Sequence, residues 1–480
     1  MQTLVQPFVS FVIFAEKLNA MDKIIGRESE LGLLDRYNKS GKSEFVALYG
    51  RRRVGKTSLV RYYFKDKFDF YVTGVLDGTK ADQESAFYDA LIKYGYTGEK
   101  PKNWKEALNA LGVILEKKKK KKRCVVFIDE LPCFDTDYSG FVKDFGDFWN
   151  RMASWYDNIF LIICGSATAW MIRNVIDSKG GLHNRVTHEM HLRPFDLYQT
   201  EQYVKARKGK WDRLSILQMY MALGGIPYYF SLVDFSKSAA ENIDALFFSQ
   251  DAELKKEYRR LYKSLYKNPE QYLEIINVLA AKDILTKLKL TSGRQVTERL
   301  EDLVLCDFIS HHSNGGKENS GIYRLVDFYT LFYLTFCKTE ITDRAYWRHT
   351  INTPIQNTWY GLAFERVCMC HIWQIIQSLR LDSMLTKYYS WRSKESEQGA
   401  QIDMVIERAD GIINVCEMKY SRSDYRQDID DSRNLINKID DFITETKTKK
   451  SVQTVLITTY GLRDGAHSDD FQKVLTLDHF

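Results

Sequence analysis

Two groups of side chains in this sequence have the types and spacing to do chemistry on phosphate. The first runs Gly50-Arg51-Arg52-Arg53-Val54-Gly55-Lys56-Thr57 and fits the G-x-x-x-x-G-K-T pattern of a phosphate-binding loop at every fixed position. Its two glycines let the backbone curl so that successive N–H groups point inward at phosphate oxygens. Lys56 adds a point charge toward the β and γ phosphates, and Thr57 offers its hydroxyl to Mg²⁺. Gly50 through Ser58 are the expected contacts to ATP or GTP. Downstream, Val125-Val126-Phe127-Ile128-Asp129-Glu130 is a run of four apolar residues ending in two acids. Asp129 is expected to hold Mg²⁺ and Glu130 to polarise the attacking water, the division of work that in-line phosphoryl transfer needs.

The second group lies in the last third of the chain: Glu365, Asp403, Glu417 and Lys419. Two acids and a lysine at the edge of a small sheet, with a helical glutamate nearby, can hold one or two Mg²⁺ ions and orient water against a phosphodiester. Asp403 and Glu417 are the expected metal ligands. Lys419 is expected to steer or help deprotonate the water and to steady negative charge.

These residues need particular elements to position them. Phe45 to Tyr49 reads as a buried strand entering the loop and Thr57 to Phe64 as a helix leaving it, the arrangement that points backbone N–H groups at an anion. Val125 to Ile128 reads as a buried parallel strand with its acids at the carboxyl end. A third strand, Phe160 to Cys164, ends in Gly165-Ser166. If it neighbours the other two, Ser166 is a candidate phosphate sensor; a plain polar strand end fits the same residues. Arg185 precedes a short strand-like segment, Val186 to Leu192, from which it could answer the γ phosphate in cis or reach a neighbouring subunit's nucleotide.

For the second group, Gly361 to Ile372 reads as a helix carrying Glu365, with Tyr388 to Trp391 and Ala400 to Ile406 as two strands joined by a polar loop. Ile412 to Lys419 is a third strand, Asp424 to Thr444 a helix, and Ser451 to Thr459 a further strand. Side chains alternate along a strand, so Glu417 and Lys419 share a face that Asp403 on the neighbouring strand can join.

Ile25 to Leu31, Gly50 to Thr57, Asp129-Glu130, Gly165-Ser166 and Gly224-Gly225-Ile226-Pro227 together resemble the archaeal-type ATPase family, part of the AAA-like and STAND-like P-loop ATPases. The resemblance covers roughly residues 21 to 345. It implies an α/β P-loop NTPase core with a parallel sheet over residues 21–200, a helical lid over 201–265 and a winged-helix domain over 266–345. It also implies Gly26-Arg27-Glu28 near the adenine end and Gly224-Gly225 in the lid. The order of helical acid, hairpin, acid, E-x-K strand and helix resembles the PD-(D/E)XK nuclease superfamily, specifically the restriction-nuclease-like α/β domain that follows this ATPase in its longer members. That implies such a domain over 346–480, with Asp403 and Glu417-Met418-Lys419 as its motif and Glu365 as the helical acid. The sequence departs from the motif in having Ile402 where proline is usual.

The whole chain sets bounds. Its 480 residues, 44% hydrophobic and 28% charged, suit about three globular domains. Eight scattered cysteines lack metal-ligand or disulfide-framework spacing, and Cys368-Met369-Cys370 falls in a helical pattern, which favours buried thiols and a reducing cytoplasm. Residues 1–20 read as an added N-terminal arm whose apolar piece, Val5 to Ala15, is too short to span a bilayer. No membrane partner is expected. Net charge is +6, yet residues 346–480 hold 17 Lys and Arg against 19 Asp and Glu. The densest basic run, Lys117 to Arg123, reads as a solvated loop with phosphate contact as the alternative.

In the middle of the chain, helices at Tyr272 to Ala281 and Arg294 to Val304 flank another, and the wing strands are Phe308 to Ser310 and Tyr323 to Leu325, joined by a polar loop at 311–321. Glu298, Glu301 and Asp302 against Arg294 and Arg299 favour packing or partner contact over tight DNA reading.

The resulting expectation is ATP hydrolysis by Lys56, Thr57, Asp129 and Glu130, coupled to a metal-dependent nuclease site acting on nucleic acid, DNA ahead of RNA. The alternative is a STAND-type signalling ATPase with an inactive C-terminal binding platform that assembles with itself or a protein partner.

Overall fold

The structure, a computed structural model, describes residues 24–281, 294–314, 317–393 and 400–480. The N-terminal arm read at 1–20 and the second helix of the middle module, which falls within 282–293, lie outside the described residues. The chain divides into two compact units after Arg193.

The first unit is a five-stranded parallel sheet covered by helices. Its elements are α1 (Glu28–Asn38), β1 (Glu44–Tyr49), α2 (Lys56–Phe64), β2 (Phe70–Thr73), α3 (Lys80–Lys93), α4 (Trp104–Glu116), β3 (Cys124–Asp129), α5 (Phe141–Trp155), β4 (Ile159–Gly165) and β5 (His188–His191). Every residue of β3 and β4 is buried, which is why both read as unbroken apolar runs: a parallel strand covered on both faces has no solvent side to alternate toward. Parallel neighbours need crossovers, and the helices between strands supply them. In α4, Trp104, Leu108, Leu111 and Leu115 recur at helical spacing and are buried against the sheet, and Asn103 caps the start by accepting from the Glu106 N–H.

Strand order is β2-β3-β4-β1-β5. β4 therefore lies between β1, which feeds the phosphate loop, and β3, which ends in Asp129.

The basic run enters β3 from the opposite edge of the sheet. Lys118 and Lys121 pair with buried Asp69 at 3.2 and 2.8 Å, Arg123 donates to the carbonyls of Tyr37 and Lys42, and the Asn158 amide donates to the carbonyls of Lys118, Lys119 and Lys121. Burial would raise the Asp69 carboxyl, but Lys121, the Val125 N–H and Lys118 together hold it below the usual range. Three of the seven basic residues thus fasten the entry to β3. Because the sheet is parallel, the run is remote from the phosphate loop at the carboxyl ends.

The second unit opens with α6 (Leu197–Ala206) and α7 (Arg213–Leu223). At Gly225, with φ +63°, an added Cβ would stand 2.1 Å from the Phe195 carbonyl oxygen, so the Gly224-Gly225 pair ends α7 where another backbone passes too close for any side chain. Then come α8 (Glu253–Lys263), α9 (Pro269–Ala281), α10 (Arg294–Leu305), β6 (Ile309–Asn314) and β7 (Lys317–Leu325). The polar loop expected at 311–321 is corrected: β6 and β7 pair from Ile309 opposite Leu325 out to Asn314 opposite Lys317. Most of that polar stretch is strand, because an antiparallel ladder satisfies the backbone whatever the side chains are.

The remainder comprises α11 (Pro354–Cys370), β8 (Thr386–Arg392), β9 (Gln401–Arg408), β10 (Ile412–Lys419), α12 (Ile429–Thr446), β11 (Ser451–Thr458) and β12 (Lys473–Leu475). These strands and the hairpin form one sheet in the order β12-β11-β10-β9-β8-β6-β7. The hairpin joins it where Asn314 of β6 faces Ser390 of β8, so residues 266–345 and 346–480 share a sheet.

β10 and β11 are parallel, and α12 is the crossover between them. It buries Phe442 with Val405, Ile413 and Val415, and Leu435 with Leu456. The helix expected from Asp424 starts later: Asp428 caps it by accepting from the Asp431 N–H, and Tyr425 instead bridges to Leu462.

Candidate nucleotide site and a candidate metal cleft

The loop Gly50 to Gly55 lies at the carboxyl end of β1 and opens α2. Gly50 has φ +140°, and a Cβ there would stand 2.2 Å from the Leu192 carbonyl oxygen, so no side chain fits. Gly55 (φ +94°) and also Arg53 (φ +71°) are left-handed; a non-glycine residue held there costs on the order of 1 kcal/mol and is retained where the surroundings over-determine it. Lys56 is buried and donates to the carbonyls of Gly50 and Arg51 at 2.7 and 2.9 Å, which folds its ammonium back over the loop. Arg51 and Val54 are buried, Arg52 and Arg53 half-buried, and Ser58 exposed.

Thr57 donates its hydroxyl to Asp129 Oδ2 at 2.8 Å. The loop's last residue and the acid of β3 thus meet across the intervening strand. Burial, and then the neighbouring Glu130, push the Asp129 carboxyl above the ordinary range against the opposing Cys164 thiol, Thr57 hydroxyl and Lys56. Glu130 falls just past β3 with φ +48°, and its Oε2 accepts from both the N–H and the hydroxyl of Ser166 at 3.0 and 2.9 Å. A magnesium–triphosphate fits this chemistry: a curled N–H cradle, a buried lysine, and a hydroxyl and a desolvated carboxyl side by side.

Arg185 is exposed in the turn before β5. The register pairs Val46 with His188, and the Thr187 N–H donates to the Phe45 carbonyl, which puts Arg185 toward the entry edge of the sheet. A γ-phosphate contact in cis is thereby corrected: a parallel strand displays its preceding residues at the edge opposite the loop. Arg27 shows the reverse. The sequence places it near the adenine end only through the resemblance, whereas in the structure it is buried and donates to the carbonyls of Val54 at 3.2 Å and Arg193 at 2.8 Å, bracing the loop from behind.

In the second unit, Glu365, Asp403, Glu417 and Lys419 all line one cleft of about 560 Å³. The antiparallel register that pairs Cys416 with Met404 sets Glu417 and Asp403 one step further along, on the same face. α11 packs against β10 and contributes Glu365. Gln401 donates to Asp403 Oδ1 at 3.0 Å, while burial and then Glu417 raise the Asp403 carboxyl. Lys419 reaches Glu417 at 3.3 Å and Asp431 at 3.7 Å. Burial would depress its ammonium, but Glu417 and Asp431 raise it. Among the described residues no group of three or more His, Cys, Asp or Glu could hold a metal ion. The donor set that does fit a divalent ion is the Asp403–Glu417 pair with water completing the shell, which is how Mg²⁺ is commonly held.

The sequence did not single out Lys438. It projects from α12, with its ammonium 3.3 and 3.2 Å from the two Glu417 oxygens. In the sequence it is one more lysine on an amphipathic helix, and only the crossover brings it to Glu417. Among the described residues no helix is long and apolar enough to cross a membrane, and none of the eight cysteines is in a disulfide.

Comparison with known proteins adds the following. Residues 24–233 match the family model described as an ATPase domain predominantly from Archaea. The uncharacterized protein MJECL04 of Methanocaldococcus jannaschii is 24% identical over 400 residues, 79% of this chain and 83% of that protein. The uncharacterized ATP-binding protein MJ0423 of the same organism is 42% identical over 43 residues, 9% of this chain and 73% of that protein. Among solved structures, the Walker-type ATPase PABY2304 of Pyrococcus abyssi aligns with a TM-score of 0.45 at 17% identity, over 65% of this chain and 96% of that one. The Aeropyrum pernix ORC2 protein aligns at 0.38 and 13%, over 65% and 95%. With that loop, its acids and the matched span, the amino-terminal part of the chain is an ATPase domain of the P-loop type.

Proposed function

We propose that the chain is an ATP-binding and ATP-hydrolysing protein whose nucleotide state controls a C-terminal, Mg²⁺-dependent nuclease-like site acting on nucleic acid, with DNA the first substrate to test and RNA the second. In this reading Lys56 and the N–H groups of the loop hold the phosphates, Thr57 and Asp129 hold magnesium, and Glu130 orients water for in-line attack. Ser166 sets the position of Glu130. The helices after Pro194 act as a lid, and α9, α10 and the β6–β7 hairpin form a winged helix. Magnesium, when bound, supplies charge neutralisation at the transferring phosphoryl group. Arg185, exposed, is available to a neighbouring subunit's nucleotide in an oligomer.

The observation that carries the nuclease-like reading is the convergence of Asp403, Glu417, Lys419 and Glu365 on one cleft from three separate elements. There Asp403 and Glu417 would hold the metal and Lys419 would steady the charge that develops at the scissile phosphate. Cleavage of single-stranded DNA, double-stranded DNA and RNA, run with Mg²⁺ or Mn²⁺ and with ATP, ADP or no nucleotide, tests it. Metal-dependent cleavage that Asp403→Ala abolishes and that ATP modulates is expected. The acid excess of residues 346–480 favours a second reading, a signalling ATPase with a binding platform; ATP-dependent assembly without cleavage of any substrate would decide for it.

A further inference from the structure

We infer that Lys438 is a built-in cation that occupies Glu417 and must release it for a divalent metal to bind, so that α12 sets the metal affinity of the cleft. The inference rests on the metal-dependent reading of that cleft and adds a residue outside its motif.

Glu417 is buried, and its carboxylate is flanked by two ammonium groups: Lys419 on its own strand at 3.3 Å and Lys438 at 3.2 Å. The two contacts are not equivalent. Lys438 donates to both Glu417 oxygens, the same oxygens a divalent ion would need, whereas Lys419 pairs with Oε1 and also leans toward Asp431. Asp403 Oδ1 instead accepts from the neutral Gln401 amide at 3.0 Å. The cleft thus offers a metal one carboxylate held by a neutral amide and one engaged by a cation. Two like charges in a desolvated site repel, and a lysine bound across one of them relieves that repulsion while no metal is present. A divalent ion does the same more strongly, and the two cannot share the same Glu417 lone pairs.

The position follows from the fold. Leu435 of α12 is buried with Leu456 of β11, and Leu456 is the register partner of Glu417. A residue one turn beyond Leu435 on the adjoining face is therefore delivered to Glu417. Lys438 keeps part of its side chain in water, 27% exposed, which gives the released ammonium somewhere to go. Once released it stays beside the cleft, where an anionic substrate phosphate would meet it.

The test is Mn²⁺ binding to the full-length protein without nucleic acid, by calorimetry or by the electron paramagnetic resonance of the free ion. The variants are Lys438→Met, Lys438→Gln, Lys438→Arg and Asp403→Asn. The neutral variants are expected to bind Mn²⁺ about tenfold more tightly than wild type, the size expected for loss of one competing, part-exposed ion pair. Lys438→Arg should bind as wild type or more weakly, and Asp403→Asn should lose binding. A lysine that only braced the structure would give the opposite sign, because its loss would loosen the cleft. Asp403-dependent binding with both neutral variants unchanged or weaker overturns the inference and leaves the metal reading standing. Absence of Mn²⁺ binding in wild type and every Lys438 variant overturns both.

Discussion

The two sites solve the same problem, holding paired acids in a desolvated pocket, in different ways. In the first unit Asp129 is met by the Thr57 hydroxyl and Glu130 by the N–H and hydroxyl of Ser166. These hydrogen-bonding groups are neutral and can rearrange around an incoming ion while the Lys56 charge stays nearby. In the second unit Glu417 is met by two lysines. On the proposed reading the first site would receive a cation already bound to a polyanion, whose own charge helps hold it. The second, on the inference drawn above, would have to exchange one cation for another. Neutral partners suit a site that turns over with each nucleotide, and a charged partner suits one that stays closed until metal and substrate come together.

The largest effects would break this comparison outright. Lys56→Ala should lower ATP hydrolysis on the order of 10³-fold, because a buried charge on the transferring phosphates is lost, while any Mn²⁺-dependent cleavage measured without ATP persists. Phosphate release and gel assays on one preparation read both. Asp403→Ala should do the reverse, abolishing metal-dependent cleavage with ATP hydrolysis unchanged. Next in size is Gly50→Ala. Its Cβ cannot coexist with the Leu192 carbonyl, so the loop must shift, with a stability loss of about 2 kcal/mol by thermal melting and nucleotide affinity lowered at least about tenfold.

Smaller changes sharpen the contrast. Ser166→Ala removes one of the two donors to Glu130 and leaves the backbone N–H, so hydrolysis should fall about tenfold with ATP binding retained. Single-turnover hydrolysis beside equilibrium binding separates the two. The smallest effect is on pH. Asp129 and Asp403 both have carboxyls raised by burial above the ordinary 3.8. A raised acid stabilises the fold fully below that value, and the contribution is lost as pH rises through the folded-state pKa. Relative to Asp129→Asn or Asp403→Asn, the wild-type melting temperature of the metal-free protein should therefore fall as pH climbs above about 4, on top of the opposite contribution of acids such as Asp69 whose carboxyls are held low. A steeper slope in either variant would count against the burial argument.

Motif residues were legible because their chemistry forces their type and spacing. Gly50 and Gly55 both take positive φ, Gly50 with no room for a Cβ, and four apolar residues before Asp129 signal a covered strand. The strand of Glu417 was legible to its ends, Ile412 to Lys419, since its largely apolar run and its closing lysine both mark it. What the sequence does not show is what only tertiary placement creates. Arg27 braces the loop through carbonyls, Lys438 reaches Glu417 across a crossover, and Arg185 falls at the wrong edge because strand order, not sequence distance, decides which end of the sheet a turn occupies. The extent of β6 and β7 was hidden for a related reason. Their polar residues carry no alternating pattern, and the ladder holds them through the backbone.

The position of β1 has a consequence for how the protein is made. It is the first strand of its sheet to be synthesised, yet its two neighbours are β4 and β5, the last, and Glu44 of β1 finds its partner only at Phe160. While the chain emerges, the apolar segment Phe45 to Leu48 waits with both edges unpaired, whereas β2 and β3 can already join. Slow, long-range closure of this kind leaves a nascent segment open to wrong partners. The strand that leads into the nucleotide loop is thus the one most in need of chaperoning, and the ATP site is among the last features of the first unit to form.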